Sequence, residues 1–258
     1  MSYTISDVTR NLDARRTTTL LLISVVLFFG VAYSEANGQK RFSRTYPATK
    51  NVRLQLLNRA GTITVEGWDR QEINIAAYLE APAANVVPQS LSGTIVMDLV
   101  KENQGRTVGN VNFQIRVPRL SVVDIETRIG NLSVTNVTGG LVRAIITTEG
   151  DITLTNIASA AVDAQNGLGD IFFDGEIQNG GHYRFTSMRG NINLRIPFES
   201  SFRLVATAPS TRNIDLGPFR GSSMRFVSDG RRVAGQAGDG TATLTVTNQR
   251  GSIAFIRR

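Results

Sequence analysis

EGDITLTN, residues 149–156, is preceded by RIGNLSVTN (128–136) and followed by LGDIFFDG (168–175) and RGNINLRI (189–196). Each copy reads as a glycine, a short polar residue, then apolar residues two and four positions after the glycine and another near position seven. Gly130 is followed by Leu132, Val134 and Val137, and Gly150 by Ile152, Leu154 and Ile157. Gly169 brings Ile171, Phe173 and, one residue late, Ile177, while Gly190 brings Ile192 and Leu194. Apolar residues alternating at period two mark half-buried strands, and the bias to Val and Ile agrees. From Gly130 to Gly190 the glycines recur every 19 to 21 residues. A βαβ unit needs about 30, so the period predicts stacked coils, each leaving apolar side chains bare above and below until its neighbours cover them.

A second strand precedes each glycine, in VVDIET (122–127), VRAIIT (142–147), AVDAQN (161–166) and YRFTS (183–187). The same pattern surrounds Gly61, Gly93 and Gly251, with Trp68 and Val100 in the position-seven slots after Gly61 and Gly93. The residue after each glycine is Thr62, Thr94, Asn131, Asp151, Asp170, Asn191 or Ser252. Such short side chains bond local backbone at turns, where glycine supplies a φ that other residues resist. TRNIDLG (211–217) carries Arg212 in the glycine slot and is read as a degenerate coil, followed by a Gly/Ser-rich loop and a terminal pair of strands. Near the other end, LSGTIVMDLV and VGNVNFQIRV flank ENQGRT and read as an antiparallel hairpin able to cover the stack. The predicted class is all-β, a single-stranded β-solenoid or parallel β-helix-like stack with an antiparallel hairpin region at its N-terminal end. The segments are 1–36 as signal, 37–47 as linker, 48–120 as the N-terminal β region and 121–258 as repeat coils.

With 258 residues, 41% of them hydrophobic, the chain can bury a sizeable core. It has no Cys, which excludes disulfides, thiol chemistry and Cys-ligated zinc. Its only His, His182 after Gly180-Gly181, rules out a two-His metal site and reads as a surface turn residue. The formal charge of +7, carried mostly by arginine, suits anionic partners, which guanidinium groups bind in bidentate fashion. The arginines are scattered, without the basic runs or aromatic interleaving of a nucleic-acid binder, so no nucleic-acid partner is expected.

Arg15-Arg16 precede an apolar run from Leu20 to Tyr33, of signal-peptide length, with small residues at Ala32, Ser34 and Ala36 for a cut after Ser34 or Ala36. Export is expected, to the periplasm, the outer surface or the medium. An uncleaved signal would instead hold the chain in the inner membrane through residues 17–33.

VRLQLLNRAGTITVEGWDRQEINIAA (52–77), VPRLSVVDIETRIGNLSVTNVTGG (117–140) and TVTNQRGSIAFI (245–256), in this order and spacing, resemble the bacterial putative-adhesin family of exported β-strand-repeat domains. The resemblance covers residues 48–258. It implies a β-solenoid-like fold in the cell envelope and brings no catalytic residues with it.

The sequence therefore describes an exported, non-enzymatic adhesin or envelope scaffold that offers Arg, Thr and Asn to an envelope component or an anionic polysaccharide. Contact candidates are Arg143, Arg184, Arg195 and the outward-facing Phe172. The other aromatics, Trp68, Phe173, Phe185, Phe198 and Phe202, read as core rather than as a sugar platform. Asp151 and Asp170 share one slot on adjacent coils. Neighbouring coils place Asn131 and Asn191 there, so a turn role is the first reading. A calcium pair, or the acid and base of a β-helix polysaccharide lyase or hydrolase, is the alternative. No cofactor is expected. A membrane-anchored sensor ectodomain is the remaining reading.

Overall fold

The computed structural model describes residues 40–221 and 223–258. The signal segment over 1–36, its possible anchor over 17–33 and the first residues of the linker lie outside them. Among the described residues, no helix is long and apolar enough to cross a membrane.

In chain order the first strands are β1 (Lys40–Pro47), β2 (Arg53–Ala60), β3 (Ile63–Trp68), β4 (Glu72–Leu79), β5 (Gln89–Leu91), β6 (Thr94–Asp98) and β7 (Val111–Pro118). The middle of the chain supplies β8 (Val122–Ile129), β9 (Leu132–Thr135), β10 (Leu141–Glu149), β11 (Ile152–Ile157), β12 (Ala161–Leu168), β13 (Ile171–Gly175), β14 (His182–Arg189) and β15 (Ile192–Ile196). The last strands are β16 (Phe202–Thr207), β17 (Ile214–Asp215), β18 (Ser223–Val227), β19 (Arg232–Ala237), β20 (Ala242–Asn248) and β21 (Ile253–Arg257). One helical turn, α1 (Leu99–Glu102), follows β6, and a 3-10 turn spans Gly217–Gly221.

These strands form two sheets around one apolar core. Sheet A has ten strands in the order β1-β4-β7-β3-β9-β11-β13-β15-β21-β17, and sheet B has eleven in the order β18-β19-β16-β20-β14-β12-β10-β8-β2-β6-β5. A coil is one strand of sheet B, a tight corner at the repeat glycine and one strand of sheet A, so the whole is a β-solenoid-like stack. Parallel pairing in register puts like residues in columns. Leu132, Ile152, Ile171, Ile192 and Ile253 make one such column, each fully buried. Burying a side chain of this size contributes about 1.5–3 kcal/mol relative to leaving it exposed.

The glycine corners form their own column. A Cβ on Gly130 would overlap the carbonyl oxygen of Gly61, and the same holds for Gly150 on Gly130, Gly169 on Gly150, Gly190 on Gly169 and Gly251 on Gly190. These glycines have φ between +115° and +153°, so both the close approach and the backbone angle select the residue. Buried Asn166 and Asn248 complete the corner by donating to the carbonyls of Gly150 and Gly190, each at 2.7 Å. Gly93 stands elsewhere. With Ser92 it forms the two-residue turn of the antiparallel β5–β6 hairpin, both residues at positive φ, and a Cβ there would meet nothing within 4 Å. Val100, assigned to the position-seven slot after it, falls in α1 and is exposed, while Leu99 is buried instead.

Three sequence expectations are corrected here. The strands proposed as a hairpin, β6 and β7, lie in different sheets, because α1 and residues 103–110 carry the chain around a corner. β6 pairs parallel with β2, and β7 parallel with β3. The antiparallel pairing at this end comes instead from β1–β4, β4–β7 and β5–β6. Residues 40–47, placed in the linker, form β1 on the edge of sheet A. The closing strands are not the end of the stack. β20 and β21 enter between the coil of β14 and β15 and the coil of β16 and β17. Arg212 has a left-handed φ of 58° at the corner between β16 and β17 of that outer coil. Beyond it the antiparallel β18–β19 pair extends sheet B, and Phe219 of the 3-10 turn packs against Phe202 and Phe255 at the end of the core.

Candidate functional site

The four contact candidates fall on two opposite outer faces. Arg143 and Arg184 point out of sheet B, where strand register sets a row of Asp124, Arg143, Asp163, Arg184 and Thr245. Phe172 and Arg195 point out of sheet A, Phe172 half-buried between Thr153 and Asn193. The core separates the pairs, so they do not make one site.

On sheet B, the Arg143 guanidinium bonds Asp124 at 2.8 Å and Glu126 at 3.4 Å. Burial works against its charge, but the hydrogen bond and charge of Asp124, with Glu126 behind them, outweigh that and raise its pKa above the ordinary arginine value. Asp163 accepts two bonds from the Gln165 amide, each 3.1 Å. Among the described residues Arg184 pairs with no carboxylate. It lines an open groove of about 410 Å³ with Asp163, His182, Thr243 and Thr245, in which the His182 ring nitrogen Nδ1 lies 2.9 Å from the Thr243 hydroxyl. On sheet A, Arg195 reaches Asp174 at 3.6 Å, and Arg258 holds the other carboxylate oxygen at 3.0 Å.

Asp151 and Asp170 sit on adjacent coils, as the repeat requires. One oxygen of Asp151 accepts the Asp170 N–H at 2.8 Å, and one oxygen of Asp170 accepts the Asn191 N–H at 2.7 Å. Asn131 does the same for the Asp151 N–H at 3.0 Å, and Asn191 for the Ser252 N–H at 3.2 Å. Each short side chain thus ties its corner to the next coil, a task that Asn performs as well as Asp. Among the described residues no three His, Cys, Asp or Glu side chains converge as a metal site.

Trp68 departs from the sequence reading. After Gly130 the strand β9 ends before Asn136 (φ 60°), and after Gly150 the strand β11 bulges at Asn156 (φ 53°); in both coils this left-handed residue returns Val137 or Ile157 to the core. After Gly61 the equivalent residue is Gly67, which stays extended and pairs with Val117, so alternation continues and Trp68 points outward beside Pro118. Trp68 is half-buried, and its indole N–H donates to the Glu72 carbonyl at 2.8 Å. The guanidinium carbons of Arg70 and Arg116 lie 5.1 and 5.7 Å from its ring centroid. A cleft of about 390 Å³ opens here, its walls including Trp68, Pro118, Leu120, Lys50, Arg70 and Arg119. Arg119 is held in bidentate fashion by Asp69 at 2.7 and 3.3 Å. The signal for this cleft in the sequence is a glycine standing where the coils of Gly130 and Gly150 carry asparagine, although the coil of Gly169 also has a glycine, Gly175, in that slot. It becomes readable only once the left-handed role of that asparagine is known.

A family model described as Toastrack DUF4097 matches residues 45–254. A comparison with curated proteins finds none that matches. Among solved structures, the chain is similar to a "putative cell adhesion protein" from Clostridium sporogenes, with TM-score 0.50 and 12% identity over 86% of this chain and 100% of that one. It is also similar to a "putative adhesin" from Bacteroides fragilis, with TM-score 0.34 and 12% identity over 85% and 99% of the two chains. A "putative lipid binding protein" from Parabacteroides distasonis gives 0.33 and 9% over 86% and 95%. At 12% identity the likeness to the Clostridium sporogenes structure concerns the fold alone.

Proposed function

The chain belongs to the Toastrack DUF4097 family, and from that premise we propose that it is an exported, non-enzymatic, adhesin-like protein of the cell envelope that holds an anionic glycan on the outer face of sheet B. The observation that carries this reading is Arg184. It is a guanidinium without a carboxylate partner among the described residues, set in an open groove with the hydroxyls of Thr243 and Thr245 and the ring of His182. Guanidinium groups bind carboxylate and sulfate through paired N–H donors, and flanking hydroxyls suit sugar hydroxyls. The parallel sheet sets Arg184 between Asp163 and Thr245 in one outward row at about 4.8 Å spacing, so a ligand's anionic group at Arg184 has a hydroxyl donor one strand away. Residues 1–36 supply the export signal in this reading, with residues 17–33 as the anchor where the signal is retained.

The test is binding of the purified chain to an array of neutral and anionic glycans at two salt concentrations, repeated with Arg184→Gln. Binding to anionic glycans that weakens with salt, releases no cleavage product and falls about tenfold or more in the variant supports the proposal. Failure to hold any anionic glycan, or equal binding by Arg184→Gln, overturns it.

A further inference from the structure

We infer that the cleft at Trp68 is a second ligand site, separate from the sheet B groove, and that it takes a single pyranose ring carrying a carboxylate or sulfate group. The proposal stands on the cleft's own geometry and does not depend on what sheet B binds.

The cleft joins two kinds of surface. Its floor is the exposed part of Trp68 beside its buried register partner Pro118, with Leu120 exposed next to them. Flat apolar surface of this kind fits the C–H face of a pyranose, and a partly exposed indole with its N–H already satisfied gains from being covered. The rim is cationic, with Lys50, Arg70 and Arg119 lining the cleft and Arg116 against the indole. Acidic side chains answer some of these. Asp69 accepts from Nε and Nη2 of Arg119, Glu66 takes Arg116 at 3.1 Å, and Glu72 meets Arg70 only at 3.5 Å with the Arg70 side chain 73% exposed. Arg70 lies over the indole at 5.1 Å and meets Glu72 only at 3.5 Å, so it and Lys50 are the cations that an anion entering beside the ring meets, while Asp69 competes for Arg119. Aromatic floor and cationic rim together select an anionic ring over a neutral ring and over a bare anion. A volume of about 390 Å³ accommodates one sugar unit with its substituent.

The chain's single tryptophan makes the site its own reporter. Trp68 emission, and its quenching by neutral acrylamide, should be followed while the purified chain is titrated with oligogalacturonate, with a sulfated oligosaccharide, with a neutral oligosaccharide of equal length and with inorganic sulfate. The expected result is a saturable emission change and protection from acrylamide with one or both anionic sugars, at least about tenfold tighter than with the neutral sugar or with sulfate alone. The preferred anionic sugar identifies the group. Combined Arg70→Gln and Lys50→Gln should weaken the response at least about tenfold. Asp69→Asn, which frees Arg119, should strengthen it several-fold, a gain that a merely structural role for these residues does not predict. Arg184→Gln should leave the response unchanged, which separates this site from the sheet B groove. The inference is overturned if no anionic sugar changes the emission of chain whose circular dichroism is native. It is equally overturned if neutral sugar or sulfate alone performs as well, if anionic lipid vesicles act where the sugars do not, or if Arg184→Gln abolishes the response.

Discussion

Gly150→Ala isolates what the glycine column does. The new Cβ would overlap the Gly130 carbonyl oxygen one coil away, in a residue whose φ is +146°. Holding a residue with a side chain in this sparsely populated region costs about 1–3 kcal/mol. Relieving the overlap means parting the coils by on the order of 1 Å, since a carbon rests about 3.3 Å or more from a carbonyl oxygen. The bonds beside it, Gly130 N–H to Glu149 and Leu132 N–H to Asp151, both 2.9 Å, would then pass out of range, adding about 1–3 kcal/mol. The sum, about 2–6 kcal/mol, reaches at its upper end the rare cost of breaking a buried constraint. Gly93→Ala is the internal comparison, because Gly93 also has positive φ, +78°, yet nothing lies within 4 Å of its Cβ. It should lose only about 1 kcal/mol. Urea unfolding followed by far-ultraviolet circular dichroism reads the difference, with the Gly150→Ala midpoint expected well below that of Gly93→Ala. Equal midpoints would show that coil stacking does not demand the column, and the reasoning would fail.

The corners and the core give further expected outcomes. Asp151→Asn should leave stability within about 0.5 kcal/mol, as Asn131 and Asn191 already fill the same slot. Asp151→Ala, which strands the Asp170 N–H, should cost about 0.5–1.5 kcal/mol, both measured by thermal unfolding. The buried Tyr183 hydroxyl donates to the Ser159 carbonyl at 2.9 Å and accepts the Gln178 N–H at 2.8 Å, so Tyr183→Phe should cost about 1–3 kcal/mol. Burial raises the Tyr183 pKa, the Gln178 N–H opposes the rise and Glu176 adds to it. A raised folded pKa means that this contribution is complete below the unfolded value near 10 and is lost as pH climbs through the folded one. Stability of the parent protein should therefore fall more steeply above about pH 10 than that of Tyr183→Phe.

The candidate sites were legible in part. The outward direction of Arg143, Arg184, Arg195 and Phe172 follows from period-two alternation alone. That Arg143 is committed to Asp124 and Glu126 while Arg184 is not depends on cross-strand neighbours, which sequence spacing does not reveal. Trp68 was assigned to the core because the sister coils bury position seven, and one backbone angle at Gly67 reversed it.

Strand content, most inward and outward faces, six of the seven glycine corners and the Asx slot are determined by the sequence, because each depends on contacts within a few residues or on a repeated period. Gly93, Trp68 and the 54% exposed Phe198 are the exceptions. The order of the coils is not determined in this way. Every coil offers its neighbours much the same apolar interior and the same unpaired backbone groups, so local pattern cannot say which stacks on which. Tertiary structure decides it at both ends, where the first coil in the chain, β2 and β3, lies inside β6 and β7, and the last, β20 and β21, lies inside β16 and β17. The outermost coils are thus internal stretches of chain. At the first end β4, β1 and β5 pair antiparallel beyond them, and at the other β19 and β18 extend sheet B while Phe219 closes over the core. Local alternation cannot encode that arrangement, because it depends on how connecting segments of unequal length reach across the finished core.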